Sequence, residues 1–298
     1  MQKVAIVTDG SSDLPKEIVE KYGITIAPFQ VIIGDKSYKM YGDYGELSKE
    51  EFYNILKTSK VYPTTAIPTP KGFHQAFEAA LKIGKAVIGI FISEKLSGTY
   101  QSAMRVENQL FTEKDITLID SKVAASTLGI LVMEAAKMAK EGKTKEEILE
   151  RIRALLPHGR LISVMDNLEA AYRSGRLSWT KKFLANTFKI RPVTLFENGA
   201  IVPRGRIKGE RDEVIKRMKF VGPQLLKHSL TNTIFIWHVQ YPEAAQQLKE
   251  EMEKHNTDGK EIIIQEAGPV VGTHVGMQSL AYMYYGDYNS DWILNMKA

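Results

Sequence analysis

Cysteine is absent from the 298 residues, which excludes disulfides, thiolate nucleophiles and any zinc or iron–sulfur centre built on sulfur. Long apolar runs are absent too. The longest, over residues 86–92 and 129–133, fall far short of the roughly 18 to 20 residues that span a bilayer, so no transmembrane helix is expected. The first apolar run is closed by Asp9, too early for the hydrophobic region of a secretory signal, and the expected location is cytoplasmic. Basic tracts are missing as well: 40 Lys and Arg are interleaved with 35 Asp and Glu for a net charge of +5, which excludes a nucleic-acid tail. The six histidines, at 74, 158, 228, 238, 255 and 274, show no i, i+4 pairing, and no metal is expected. There is no G-x-S-x-G elbow, no G-x-x-x-x-G-K-S/T loop and no G-x-G-x-x-G fingerprint after a strand, so the common hydrolase, P-loop and dinucleotide classes lack their signatures.

What is present is ordinary globular material, 44% apolar and 25% charged with 11 prolines, and its length suits two domains at roughly 100 to 200 residues each. In the first 160 residues, β-branched runs at 4–8, 24–33, 86–92 and 116–119 alternate with helical patterns, the mark of α/β layers on a mainly parallel sheet. Ser48 with Glu51 and Thr144 with Glu147 have the capping-box spacing and open helices over 48–58 and 144–156. Pro157-His158-Gly159 breaks the second helix before a strand at 161–164. An N-terminal α/β domain over 1–158 and a C-terminal α/β domain over 159–298 are therefore expected. The second half has strand-like runs at 191–196, 200–202, 234–239 and 261–264, helices at 210–219 and 242–255, and a hairpin signal in Asn198-Gly199, which predicts a mixed or antiparallel sheet.

Hydroxyls and glycines gather where strands end: Thr8-Asp9-Gly10-Ser11-Ser12-Asp13, Thr64-Thr65, Ser97-Gly98-Thr99-Tyr100 and Asp120-Ser121-Lys122. Each alone reads as a helix cap. In an open parallel sheet, however, ligands bind beyond the carboxyl ends of the strands, and the recurrence predicts four turns converging on one crevice. Ser97-Gly98-Thr99 combines a hydroxyl with a glycine at a helix start, which suits a carboxylate or phosphate. The segment over 62–70 holds three prolines and is expected to be a stiff extended loop that aims a hydroxyl. Arg173-Ser174-Gly175-Arg176 and Thr273-His274-Val275-Gly276 add a guanidinium and an imidazole in glycine-flanked turns. With receptors but no recognisable nucleophile, the simplest inference is a binding protein for a small acid.

These segments resemble the DegV family of bacterial fatty-acid-binding proteins. The match is carried by Val7-Thr8-Asp9-Gly10-Ser11-Ser12-Asp13-Leu14, by the Pro63-Thr64-Thr65 loop ending in Pro68-Thr69-Pro70, and by Ser97-Gly98-Thr99-Tyr100-Gln101-Ser102-Ala103. It continues in Ile119-Asp120-Ser121-Lys122, Tyr172-Arg173-Ser174-Gly175-Arg176-Leu177 and Gly268-Pro269-Val270-Val271-Gly272-Thr273-His274-Val275-Gly276. Each motif is loose alone; in this order they are highly specific. The resemblance implies a two-domain DegV-like fold, with a mainly parallel α/β/α N-terminal domain and a mixed α/β C-terminal domain, holding one long-chain fatty acid in a tunnel between them. By that resemblance Thr65 and Ser97 bind the carboxylate, and Thr64, Gly98, Thr99, Ser121, Arg176 and His274 lie near the head group. It also implies a non-catalytic carrier without cofactor, the binding subunit of a bacterial fatty acid kinase whose separate ATP-binding subunit makes an acyl phosphate, with transient contact to a membrane surface. Arg204, Arg206 and above all Lys208 fall where the family presents a basic residue to that partner.

The chain departs from the family's usual pattern at Thr65-Ala66-Ile67-Pro68, where a Thr-Ser-Gln-Pro sequence is common, and at Met277-Gln278-Ser279, in place of a Pro-Gly-Ala-like stretch. A more apolar or differently shaped pocket is the expected consequence. Lys208 replaces the usual arginine and lacks its planar fork. Two other readings stand beside the carrier: an enzyme acting on a small phosphorylated or carboxylated metabolite through the Asp9 to Asp13 turn and Asp120-Ser121-Lys122, and a module that senses the lipid.

Overall fold

The computed structural model describes residues 2–59, 61–166, 168–177 and 190–297. The chain forms two compact units: Met1–Pro157 with Gly268–Thr273, and His158–Ala267 with His274–Ala298.

In the first unit β1 (Gln2–Asp9), β2 (Thr25–Ala27), β6 (Gly84–Phe91) and β7 (Ile116–Asp120) form a parallel sheet in the order β2-β1-β6-β7. Helices on both faces explain why β1 and β6 are almost continuously apolar. Val87 and Phe91 face α3 (Pro70–Ile83) and α4 (Thr99–Leu110), where Phe73 meets Phe91 edge-on at 5.7 Å in one cluster with Ala5, Val7, Phe77 and Phe111. The opposite face packs against α5 (Ala125–Lys140), whose Leu128, Ile130, Leu131 and Val132 are fully buried. α1 (Lys16–Tyr22) and α6 (Lys145–Leu155) flank α5. The expected capping boxes are formed at Ser48, which opens α2 (Lys49–Thr58), and at Thr144, which opens α6.

The run expected as one strand over 24–33 is two strands in different sheets. Pro28 separates them and has no N–H for a ladder. After it, β3 (Phe29–Ile33) pairs antiparallel with β4 (Lys36–Met40) and β5 (Thr64–Ala66) in the order β4-β3-β5. The segment over 62–70 is accordingly more than a stiff loop. It contributes β5, and then Thr69 caps α3 through the Gly72 amide (3.1 Å) with Pro70 in the first turn, where proline's missing N–H costs nothing.

The second unit is a six-stranded mixed sheet in the order β10-β9-β8-β13-β11-β12, made from β8 (Gly159–Val164), β9 (Ile190–Glu197), β10 (Ala200–Lys208), β11 (Thr233–His238), β12 (Glu261–Glu266) and β13 (Leu280–Tyr285). Among the described residues of this sheet, only β11 and β12 pair in parallel. Asn198 (φ 48°) and Gly199 (φ 84°) make the expected tight turn between β9 and β10, the left-handed pair that a type I′ hairpin requires. α7 (Glu169–Ser174) follows β8. The sheet packs against α8 (Arg211–His228), α9 (Pro242–Glu253) and α11 (Ser290–Leu294) around Met218, Leu225, Leu248, Tyr282 and Trp292. α8 does not stop at Lys219 as expected but runs on through Gly222 and Pro223. Among the described residues no helix is long and apolar enough to cross a membrane.

Candidate functional site

Three of the four expected turns lie side by side at the carboxyl end of the parallel sheet. The buried Asp9 carboxylate, at the end of β1, accepts hydrogen bonds from the Ile92 amide (2.8 Å) and from the amide and hydroxyl of Ser11. Burial pushes its pKa up, against the pull of these donors. The Ser93 amide donates to the Val123 carbonyl (2.9 Å) and the Ser121 amide to the Phe91 carbonyl (3.0 Å), lacing the end of β6 to the residues that follow β7.

Ser97 is delivered by a turn hung on Ser93, whose carbonyl accepts from the Leu96 and Ser97 amides at 3.0 and 3.1 Å. Ser97 Oγ and Thr99 Oγ1 stand 2.7 Å apart. Thr99 is fully buried and Ser97 half-buried. Two hydroxyls carry two protons, and the bond between them uses one. With the buried Thr99 donating, Ser97 keeps its proton for an acceptor outside the turn. Gly98 precedes α4 with φ −73° and ψ 9°, and a Cβ built there would meet no atom within 4 Å apart from its chain neighbours. Ser121 is differently placed: its hydroxyl donates to the Val123 carbonyl (3.1 Å) and accepts from the Val123 amide (3.3 Å), so it is committed to its own turn. Beside it Lys122 bridges Asp120 and Glu94 (3.0 Å to Glu94), and these two carboxylates push the lysine's pKa up.

Thr64 and Thr65 do not end a strand of the parallel sheet. They lie on β5 in the three-stranded sheet, a correction to the four-turn crevice. Thr65 stands opposite the fully buried Val31 and shares its face, whereas Thr64, opposite Ile32, is exposed on the other. Gly10 brings the end of β1 up to this sheet, for a Cβ there would lie 2.4 Å from the Met40 carbonyl oxygen and 3.1 Å from the Phe29 nitrogen.

In the second unit, Gly175 (φ 69°) ends α7 and turns Arg176 outward, where its guanidinium donates to the Ser174 carbonyl at 2.9 Å. The next residue, Leu177, joins Met165 and Ala171 in a small apolar cluster that Val275 packs against, so one patch of packing fixes the neighbours of both Arg176 and His274. Burial, and secondarily the Arg176 charge, push the His274 pKa down to about 4, and at neutral pH the imidazole is uncharged. Arg204, Arg206 and Lys208 are exposed on β10, an edge strand. Arg204 pairs with Glu197 across the hairpin.

The sequence placed Tyr62, Asp13 and Gly272 within its motifs but did not show the contacts they make. Tyr62 lies three residues before Thr65, and its hydroxyl donates to the Thr273 carbonyl at 3.2 Å. The buried Asp13 (φ 51°) accepts from the Gly268 amide at 3.2 Å. Repeated glycines at 268 and 272 were the available signal, since α10 (Pro269–Gly272) is pressed against α2 there. Among the described residues no group of three or more His, Asp and Glu side chains could hold a metal.

Polar turns gather beyond the strand ends of one unit, and an imidazole and a guanidinium lie near each other in the second; the chain is an α/β protein of two units. The family can be named: the DegV family model matches residues 3–287, and the chain belongs to that family. A DegV domain-containing protein of Caldanaerobacter subterraneus is 34% identical over 279 residues, covering 93% of this chain and 96% of that protein. One from Clostridium perfringens is 30% identical over 287 residues, 94% of this chain and 98% of the relative. Among solved structures, a fatty-acid-binding DegV family protein from Thermus thermophilus superposes with a TM-score of 0.81 at 25% identity over 96% of this chain and all of its own. DegV from Bacillus subtilis, described as a fatty acid binding protein, gives 0.79 at 25% identity with the same coverage.

Proposed function

We propose that this chain binds one long-chain fatty acid, its carboxylate held by the hydroxyls of Thr65 and Ser97 with Arg176 and His274 near the head group, and presents it to a separate ATP-binding kinase subunit. The observation that carries the head-group assignment is the Ser97 and Thr99 hydroxyl pair at the start of α4, which keeps one proton for an acceptor. The fatty-acid-binding relatives from Thermus thermophilus and Bacillus subtilis support the ligand class. Affinity comes from the chain: about 15 methylenes at about 0.8 kcal/mol each give an upper limit of roughly 12 kcal/mol, much of it offset by the entropy of confinement. Hydroxyl donors leave one carboxylate oxygen open, whereas a bidentate arginine would occupy both. That oxygen would accept the γ-phosphoryl group of ATP on the partner, giving acyl phosphate and ADP.

The alternative enzyme fares worse on its own residues. Asp9 is spent on amides and a hydroxyl, and Asp120 and Lys122 are bound to each other and to Glu94. Thr65→Val combined with Ser97→Ala is expected to abolish stoichiometric fatty acid binding while the far-ultraviolet spectrum and cooperative unfolding persist, and undiminished binding would contradict the head-group assignment. Incubated with ATP, magnesium and a fatty acid but no partner, the chain should form no acyl phosphate.

A further inference from the structure

The six residues Gly268–Thr273 interrupt the second unit to lie on the first, and every feature of the segment fixes its seat there. At its start the Gly268 amide donates to Asp13, and a Cβ on Gly268 would lie 2.8 Å from both that carboxylate and the Gly42 carbonyl oxygen. Asp13 itself holds a left-handed backbone conformation (φ 51°), uncommon outside glycine and tolerated best by Asp and Asn. In the middle, a Cβ on Gly272 would stand 2.7 Å from the Tyr53 hydroxyl and 3.1 Å from the Phe52 ring, closer than real side chains come. At its end the Thr273 hydroxyl turns back to the Pro269 carbonyl (2.8 Å), and the Thr273 carbonyl accepts the Tyr62 hydroxyl. The strap is thus pinned at both ends and pressed flat by two glycines.

Its last pin comes from the segment that bears Thr65, and the next residue in the chain after Thr273 is His274. We infer that Gly268–Thr273 is a positioning strap and that Tyr62 is a positioning residue: by holding the Thr273 carbonyl it sets the placement of His274 for the fatty-acid head group. The inference rests on the proposed fatty-acid function and adds to it a residue that need not touch the ligand. Tyr62 acts through its hydroxyl on a backbone carbonyl, so phenylalanine in its place removes the pin while keeping the ring.

A double-mutant cycle separates this role from simple structural support. Fatty acid dissociation constants are measured for the full-length chain, for Tyr62→Phe, for His274→Ala and for the double variant, with the His274 ring resonances followed by NMR in the first two. Loss of one hydrogen bond predicts a three- to tenfold weakening for Tyr62→Phe, a displaced His274 resonance, and no further weakening when Tyr62→Phe is added to His274→Ala. Losses that simply add, or an unmoved His274 resonance, would overturn the strap assignment while fatty acid binding by the parent chain stands. A parent chain that binds no fatty acid would overturn the function itself, and the strap role with it.

Discussion

Gly98 separates what the fold needs from what a ligand needs. Its backbone angles suit any residue and a Cβ there meets nothing within 4 Å apart from its chain neighbours, so the fold does not demand glycine. Gly98→Ala is expected to leave stability within about 0.5 kcal/mol of the parent, since gained backbone rigidity is set against a poorer helix cap. On the proposed function, fatty acid affinity should fall about tenfold, because the methyl would fill space that the proposed head group needs beside Ser97. Calorimetric unfolding and ligand titration of one variant read both; unchanged affinity would remove Gly98 from the site. Its neighbours stood out in the sequence because hydroxyls and glycines recur at the ends of successive strands, although each turn alone reads as a helix cap. The contacts of Tyr62 and Asp13 were not legible, since their partners lie 211 and 255 residues away in the chain.

His274 gives a pH signature with a definite sign. Its folded pKa of about 4 lies below the ordinary 6.5, so between these values the unfolded chain binds the extra proton and stability rises with pH. Lowering the pH from 6.5 to 4 should therefore cost the parent stability, by at most about 3 kcal/mol. His274→Asn should remove that part of the slope, as measured by denaturant unfolding across the range. Identical slopes in the two proteins would contradict the half-buried, neutral imidazole.

Elements were legible where they carried a local signal, a β-branched run, a capping box or a turn pair. The capping boxes at Ser48 and Thr144 and the Asn198-Gly199 turn are local signals, and each stands where the sequence puts it. β13 (Leu280–Tyr285) was not read although it is buried like β11, because its run of Leu, Ala, Tyr and Met holds none of the β-branched residues that marked the other strands. α5 was missed because its apolar residues run all the way round. At Gly222 and Pro223 local chemistry reads as a helix stop, yet α8 continues because its inner face is held by Met252 and Tyr282. A Cβ on Gly222 would lie 2.5 Å from the Met252 side chain and 2.9 Å from the Tyr282 hydroxyl. That hydroxyl donates to the Met218 carbonyl one turn earlier. Gly222→Ala is thus expected to overpack this contact and destabilise the second unit by about 1 to 3 kcal/mol, despite alanine's better helix propensity. An unchanged or raised denaturation midpoint would mean that α8 and α9 can shift apart without loss.

At the scale of the whole molecule, the order of the motifs along the chain carried more than any one of them. Alternating strands and helices announced the parallel unit, and the hairpin announced the mixed sheet. The return of Gly268–Thr273 to the first unit had no local signal, because a long-range contact leaves no periodicity behind. The small antiparallel sheet bearing Thr65 was hidden in the same way, its short strand β5 lying among prolines. The central claim, that this construction serves to hold one fatty acid by two hydroxyls, is tested most directly by mass spectrometry of what the protein carries. The parent chain and the Thr65→Val, Ser97→Ala variant are purified from the same bacterial host, weighed intact and extracted. One long-chain fatty acid per parent chain and none in the variant is the predicted result; a parent chain empty even after incubation with a panel of fatty acids would contradict it.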